Sequence, residues 1–383
     1  MKRVLLLPGF GASDLAVAAT RDKLWWDVSV AAFAGLGGLR LAPDGVSPQP
    51  PDGVQIGVSL APQDPWGLIR TGLQFQLDPT VWQVDPVAVY DWRLDIIANG
   101  TAVAAQIMEF IQPDEPVTLV GHSEGGLVAC VAWSVLGPLG GQNRVRRIIS
   151  IGTPFQGSYA PIAWFNGTSS TIQQLLAMYP FVYALSPTDA IKWTAVFLNG
   201  IAATWPAFYE LFPALQGDSQ IDDPFRPLLY TATNYNPNLR LSQPWLDYSK
   251  NVWQPLISGP SCHPPGYVMT CVACDSLATF TKLRTGFIPL DLLDVSLEPN
   301  GDNIVTSDSA TRNNAANVIV TGDHSSLPLG ITINGTLAKL ILDPRGPIDP
   351  TPPVQKLLVA IPENSTDPPT SDPVSGLVCL GGG

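Results

Sequence analysis

Gly121-His122-Ser123-Glu124-Gly125-Gly126 fits the pattern Gly-x-Ser-x-Gly, a serine held between residues small enough to let neighbouring backbone pass close. The residues before it, Val117–Val120, read as a short buried strand. Glu124 to about Leu136 reads as a helix that stops near Gly137-Pro138. A serine on such a strand-to-helix elbow presents its hydroxyl at the carboxyl end of a sheet, beside helix amides that favour developing negative charge. That is the placement of a nucleophile for carbonyl chemistry.

A neutral hydroxyl is a weak nucleophile and needs a base. The chain has three histidines. His122 adjoins the nucleophile, and the elbow should turn it into the core as a packed, hydrogen-bonded residue. His263 lies in Cys262-His263-Pro264-Pro265 with no strand to position it. His324 follows the strand candidate Val318–Val320 through Thr321-Gly322-Asp323 and comes last in a Ser, acid, His order, so it is the expected base. The acid that orients it is expected to be Asp302, in the turn Asn300-Gly301-Asp302-Asn303-Ile304-Val305. Asp308 and Asp323 are rivals, and any of the three can instead be a turn carboxylate bonded to nearby amides. The oxyanion donors are expected to be the backbone N–H groups of Glu124 and of Phe10, the latter in the glycine-flanked loop Pro8-Gly9-Phe10-Gly11.

These residues need a sheet to converge on. Val4–Leu7, Val87–Tyr90, Val117–Val120, Arg146–Ile151 and Val318–Val320 are short apolar runs, with a helical pattern over about Asn99–Ile111. Such strands alternating with helices predict an α/β fold with a mostly parallel central sheet covered on both faces. From Ile148 through Thr188 there are 41 residues without a charge, and 13 of the chain's 33 aromatics fall within 155–212. This stretch predicts an inserted, largely helical cap. It packs on itself and offers apolar surface to a greasy substrate, with Trp164, Phe165 and Phe181 as the expected contacts. The expected division is a first core part at 1–157, the insertion at 158–298 with a core strand placed at Leu228–Thr231, and a second core part at 299–342. A proline-rich extension at 343–383 follows, with nine prolines in 344–373.

Composition narrows the function classes. The 383 residues are 45% hydrophobic and 14% charged with a net charge of −12, which excludes disorder throughout and disfavours nucleic acid or acidic lipid as an electrostatic partner. No apolar run reaches the length of a transmembrane segment, and Val4–Leu7 is too short for the core of a leader peptide. The compartment stays open between secretion with a leader already removed and the cytoplasm. Asn166-Gly167-Thr168 and Asn334-Gly335-Thr336 fit glycosylation triplets that a secretory route would be needed to use. The five cysteines are too few for a disulfide scaffold, although Cys262 could pair with Cys271 or Cys274 in an oxidising compartment. Cys271-Val272-Ala273-Cys274 alone is a weak metal signal, and the chemistry calls for no metal or cofactor.

The chain resembles the lecithin:cholesterol acyltransferase-like branch of the α/β-hydrolases, which includes lysosomal phospholipase A2 and bacterial lipase or esterase relatives. The resemblance rests on Pro8-Gly9-Phe10-Gly11, Tyr90-Asp91-Trp92-Arg93, the Ser123 elbow, Gly152-Thr153-Pro154-Phe155-Gln156-Gly157, Gly301-Asp302-Asn303-Ile304-Val305 and His324, in that order. It implies an α/β-hydrolase fold with a cap inserted after Gly152-Thr153-Pro154, and activity on acyl esters, often of lipids. The family's acid motif reads Gly-Asp-Gly-Thr-Val, so Asp302 matches while Asn303-Ile304 departs. Glu124 replaces a methionine-like residue and would bring a charge near the oxyanion site. The expected function is a serine hydrolase acting on a small-molecule ester with a hydrophobic or acyl part, lipid esters included. Acyl transfer to an alcohol uses the same residues, and a silent scaffold of this fold used for binding is the non-catalytic alternative.

Overall fold

In the strand Lys2–Leu7 (β1), Leu5 and Leu7 join one hydrophobic cluster while Val4 and Leu6 join another, and all four are buried. Successive side chains of a strand point to opposite faces, so burial of both sets demands cover on both sides. This is a computed structural model of the chain that describes residues 1–13, 15–17, 36–47, 54–56, 65–165, 200–215, 223–235, 237–283 and 295–343. The further strands are Leu15–Val17 (β2), Val54–Ile56 (β3), Trp82–Val84 (β4), Val117–His122 (β5), Val145–Ile151 (β6), Met269–Cys274 (β7), Leu277–Leu283 (β8), Val295–Gly301 (β9) and Ala316–Val320 (β10). Six form one sheet in the order β10-β7-β6-β5-β1-β4, and every neighbouring pair is parallel. β2 with β3 and β8 with β9 are separate antiparallel pairs.

Helices Ile96–Phe110 and Glu124–Leu136 cover one face, where Val103, Ala104, Ile107, Leu127 and Val131 meet Leu5, Leu7 and Leu119. A Cβ on Gly100 would lie 2.5 Å from the Val131 Cβ, so this glycine lets the two helices touch. Helices Pro65–Gln76, Leu327–Ile333 and Thr336–Leu342 cover the other face with Trp66, Ile69, Leu73, Ile331, Leu337 and Ile341. The registers Leu7↔Gly121 and His122↔Ile151 bring the carboxyl ends of β1, β5 and β6 level. Loops leaving those three ends therefore meet in one place.

The chain between β6 and β7 supplies short helices, among them Ala160–Phe165, Pro206–Glu210, Gln243–Tyr248 and Gln254–Ser258. The last three carry proline in their first positions, where the missing N–H costs nothing. Trp205, Phe208, Tyr209, Phe212 and Trp253 are buried, so much of this aromatic content is the cap's own core.

Three expectations need correction. Leu228–Thr231 is not a core strand: it lies in and just after the 3-10 turn Arg226–Tyr230, which has Pro227 as its second residue. The strand beside β6 is instead β7, six consecutive buried residues that include Cys271 and Cys274. The chain returns to the sheet inside the stretch expected to be one insertion. Val87–Tyr90 is not a strand either. The pairing to β1 runs over Trp82–Val84, and beyond it the Asp85 N–H donates to Val4 O while the Ala88 N–H donates to Leu6 O. The ladder slips across Pro86, which has no N–H to give. Cys130, Cys262, Cys271 and Cys274 are all buried free thiols, so Cys262 is not paired. The extension at 343–383 lies outside the described residues except for Asp343.

Candidate active site

β5 stops at His122 and the next helix starts at Glu124, leaving Ser123 alone at the corner with φ 54° and ψ −126°. A side chain disfavours that region, so the surroundings must impose it. The Ser123 N–H donates to Ile151 O at 2.9 Å, and its carbonyl accepts from the Gly126 N–H at 3.1 Å. A Cβ on Gly121 would come within 2.6 Å of Gly126 Cα, and one on Gly125 within 2.5 Å of Pro8 O. The flanking glycines are therefore a steric requirement of the elbow.

The loop after β1 passes directly over this corner. A Cβ on Gly9 would sit 2.8 Å from Ser123 Cβ and 3.1 Å from His122 O. The Phe10 ring packs on Trp92 and Trp205, with centroids 4.9 and 5.9 Å away, which joins the loop to the cap. The Tyr90 hydroxyl donates to Pro8 O, and Trp92 Nε1–H donates to Ser13 O at 3.1 Å. Arg93 Nε–H donates to Asp91 Oδ1 at 2.8 Å, and its Nη1–H reaches Leu39 O at 3.0 Å. Tyr90-Asp91-Trp92-Arg93 thus acts as a scaffold for the first loop, a role that residue types alone did not disclose.

Asp302 follows the end of β9 and His324 follows β10. Asp302 Oδ2 accepts from His324 Nδ1–H at 2.7 Å, and Oδ1 accepts from the Ile304 and Val305 N–H groups at 3.1 and 2.7 Å. The His324 N–H donates to Asp302 O at 2.9 Å. Because Nδ1 faces a carboxylate oxygen, it carries the proton, and Nε2 is the ring's free base position. Both residues are buried. Gly152, at φ 57°, supports the pair from below: a Cβ there would lie 2.8 Å from Asp302 Oδ2 and 3.1 Å from His324 Nδ1. His122 Nε2 stands 2.8 Å from His324 O, and the two imidazole rings lie 4.7 Å apart. The elbow, the acid turn and the histidine loop therefore meet at the carboxyl end of the sheet.

Of the rivals, Asp323 accepts from Ser325 Oγ at 2.7 Å and from the Ser326 N–H at 3.2 Å, an ordinary turn carboxylate. Asp308 lies in the first turn of the helix Ser307–Ala310. His263 follows the 3-10 turn Pro260–Cys262.

Glu124 departs from expectation. Its side chain is fully buried and neither carboxylate oxygen has a hydrogen-bond partner among the described residues. Burial first, and the nearby Asp91 second, push its carboxyl well above the usual range, which favours the neutral acid over a charge beside the elbow. Burial and His324 push the His122 imidazole well below its ordinary value. Trp164 and Phe165 lie on the helix Ala160–Phe165, but their side chains, like the whole of Phe181, fall outside the described residues.

No protein-family model and no curated protein matches the chain. Among solved structures it is similar to the mature form of the Bacillus licheniformis lipase BlEst2, at 14% identity and a TM-score of 0.34, covering 89% of this chain and 91% of that one. It is similar to a chain of the Tle4–Tli4 complex at 13% identity and a TM-score of 0.45, covering 85% and 93%. It is also similar to YbtT, the type II thioesterase of the yersiniabactin pathway, at 14% identity and a TM-score of 0.35, covering 88% and 92%. With its parallel sheet flanked by helices, its strand-to-helix elbow after β5 and its inserted helical cap, the chain has the α/β-hydrolase fold.

Proposed function

We propose that the protein is a serine hydrolase that cleaves carboxylic esters of hydrophobic or acyl substrates through an acyl-enzyme. The observation that carries this reading is the buried 2.7 Å bond between Asp302 and His324, set beside the Ser123 elbow. In this mechanism Ser123 Oγ attacks the ester carbonyl while His324 Nε2 takes its proton, and Asp302 stabilises the resulting imidazolium. The N–H groups of Glu124 and Phe10 receive the oxyanion, each contributing on the order of 3 kcal/mol by analogy with measured oxyanion donors. The protonated His324 then gives its proton to the departing alcohol. Water, activated by the same nitrogen, releases the acid and restores the serine. The acyl chain lies against the apolar cap, with Trp164, Phe165 and Phe181 as candidate contacts.

A fluorophosphonate probe tests the reading directly. The wild type should label stoichiometrically, Ser123→Ala should not label at all, and His324→Ala should label far more slowly. An unlabelled wild type would leave a binding scaffold as the description. An ester series of increasing chain length, run with and without an added alcohol, separates hydrolysis from transfer: a new ester forming at low alcohol would make the protein an acyltransferase.

A further inference from the structure

We infer that His122 is a positioning residue for the base, an inference that rests on the proposed roles of Ser123 and His324. A carbonyl oxygen can only accept, so the 2.8 Å approach of His122 Nε2 to His324 O means that Nε2 carries the hydrogen and donates it. Nδ1 is then the lone-pair nitrogen, and it faces the first loop, 3.4 Å from where a Gly9 Cβ would be. His122 also precedes the nucleophile directly in β5. One side chain therefore touches the histidine loop and the first loop while its own backbone sets the elbow.

The effect on His324 follows from its contacts. Its backbone N–H is fixed by Asp302 O and its Nδ1–H by Asp302 Oδ2. Its carbonyl is fixed by His122 and by no other bond among the described residues. Without that third tie the residue can pivot about the Asp302 side, and the swing falls on Nε2, the atom that must reach Ser123 Oγ. Displacements of about 1 Å at such an atom cost up to about a hundredfold in rate. Burial keeps the His122 ring neutral. The ring 4.7 Å from His324 therefore sets no second positive charge beside it when His324 becomes an imidazolium.

Three substitutions test this. Glutamine ends in an amide that can reach the His324 carbonyl, asparagine is too short to do so, and leucine has no donor. Rates are read as kcat per site titrated with the fluorophosphonate, which removes misfolded protein from the comparison, with KM and melting temperature measured alongside. His122→Asn and His122→Leu should lower kcat about ten- to hundredfold with KM little changed, and His122→Gln should recover most of that loss. If leucine prevents folding, the asparagine and glutamine pair still decides the matter. Asparagine within about twofold of wild type, or glutamine falling as far as asparagine, would overturn the inference. A wild type that fails to label with the probe would instead defeat the proposed function itself.

Discussion

Replacing Gly152 with alanine probes the Asp302–His324 pair without touching either residue. The left-handed backbone at φ 57° costs a side chain about 1–2 kcal/mol of stability. The added Cβ would also sit 2.8 Å from Asp302 Oδ2, 3.1 Å from His324 Nδ1 and 3.3 Å from its Cε1, closer than unstrained neighbours lie. The carboxylate must withdraw, stretching a bond that stands at 2.7 Å. Hydrogen bonds to charged groups contribute about 1.5–3 kcal/mol. Losing most of that in the transition state lowers kcat about ten- to hundredfold. Gly140 is the control, since it too has a positive φ, 69°, but no atom of the described residues lies within 4 Å of its Cβ position. Gly140→Ala should show the stability loss alone. The assay is hydrolysis of a short p-nitrophenyl ester, normalised to titrated sites, with thermal melts of both variants. If Gly152→Ala melts like Gly140→Ala and keeps the wild-type kcat per site, the pair does not govern the base and the reasoning fails.

Asp302→Asn should lower kcat by about 10⁴ with little loss of fold, because an amide cannot hold the Nδ1–H tautomer as a carboxylate does; a loss under tenfold in a steady-state assay would count against Asp302 as the orienting acid. Glu124 holds its proton in the fold above its ordinary 4.5, so rising pH withdraws stability at about 1.4 kcal/mol per pH unit until the folded group ionises. His122 acts in the opposite sense, but only as pH falls below its ordinary 6.5. Denaturation series run upward from about pH 6.5 therefore leave out the His122 contribution, and Glu124→Gln should flatten the decline; identical slopes would mean that the buried carboxyl does not hold its proton there. Gly126→Ala should destabilise the protein even though alanine suits a helix better, because its Cβ would crowd Thr153, 2.8 Å from that Cβ. Adding Thr153→Ala should recover part of the loss in urea midpoints, and strictly additive effects would show that the two sites do not touch.

The elbow was legible because its physics is local: Gly121, Gly125 and Gly126 all stand within three residues of Ser123, and each proves to face backbone or a neighbouring side chain at close range. Asp302 and His324 could be ordered along the chain but not placed, since no short-range pattern encodes a bond across 22 residues. Gly152 was visible only as a motif letter, and His122 was read as a packed, hydrogen-bonded residue without its partner. Their contacts depend on which strands lie side by side, and that was misread at β7. Met269–Cys274 looked like a cysteine pair, although free cysteine is among the most buried residue types and suits a strand covered on both faces. Val87–Tyr90 is a longer apolar run than Trp82–Val84, yet the slip of the ladder across Pro86 makes the later segment a connection. Glu124 was read as a charge near the oxyanion site because its burial, and the nearby Asp91 that helps raise its carboxyl, come from the fold and not from its immediate sequence neighbours.

Because β7 follows the cap, 117 residues separate Ile151 from Met269, which pairs in register with Ile148. During synthesis, β1, β4, β5 and β6 can assemble long before their missing neighbour leaves the ribosome. Until then the flank of β6 stands open, a row of unmet amides and carbonyls on an apolar ribbon, and such edges recruit other chains. Overexpression should therefore be limited by association of half-made sheets. Fragments ending within the cap should collect in inclusion bodies, while those extending past Cys274 and β10 should be recovered in solution.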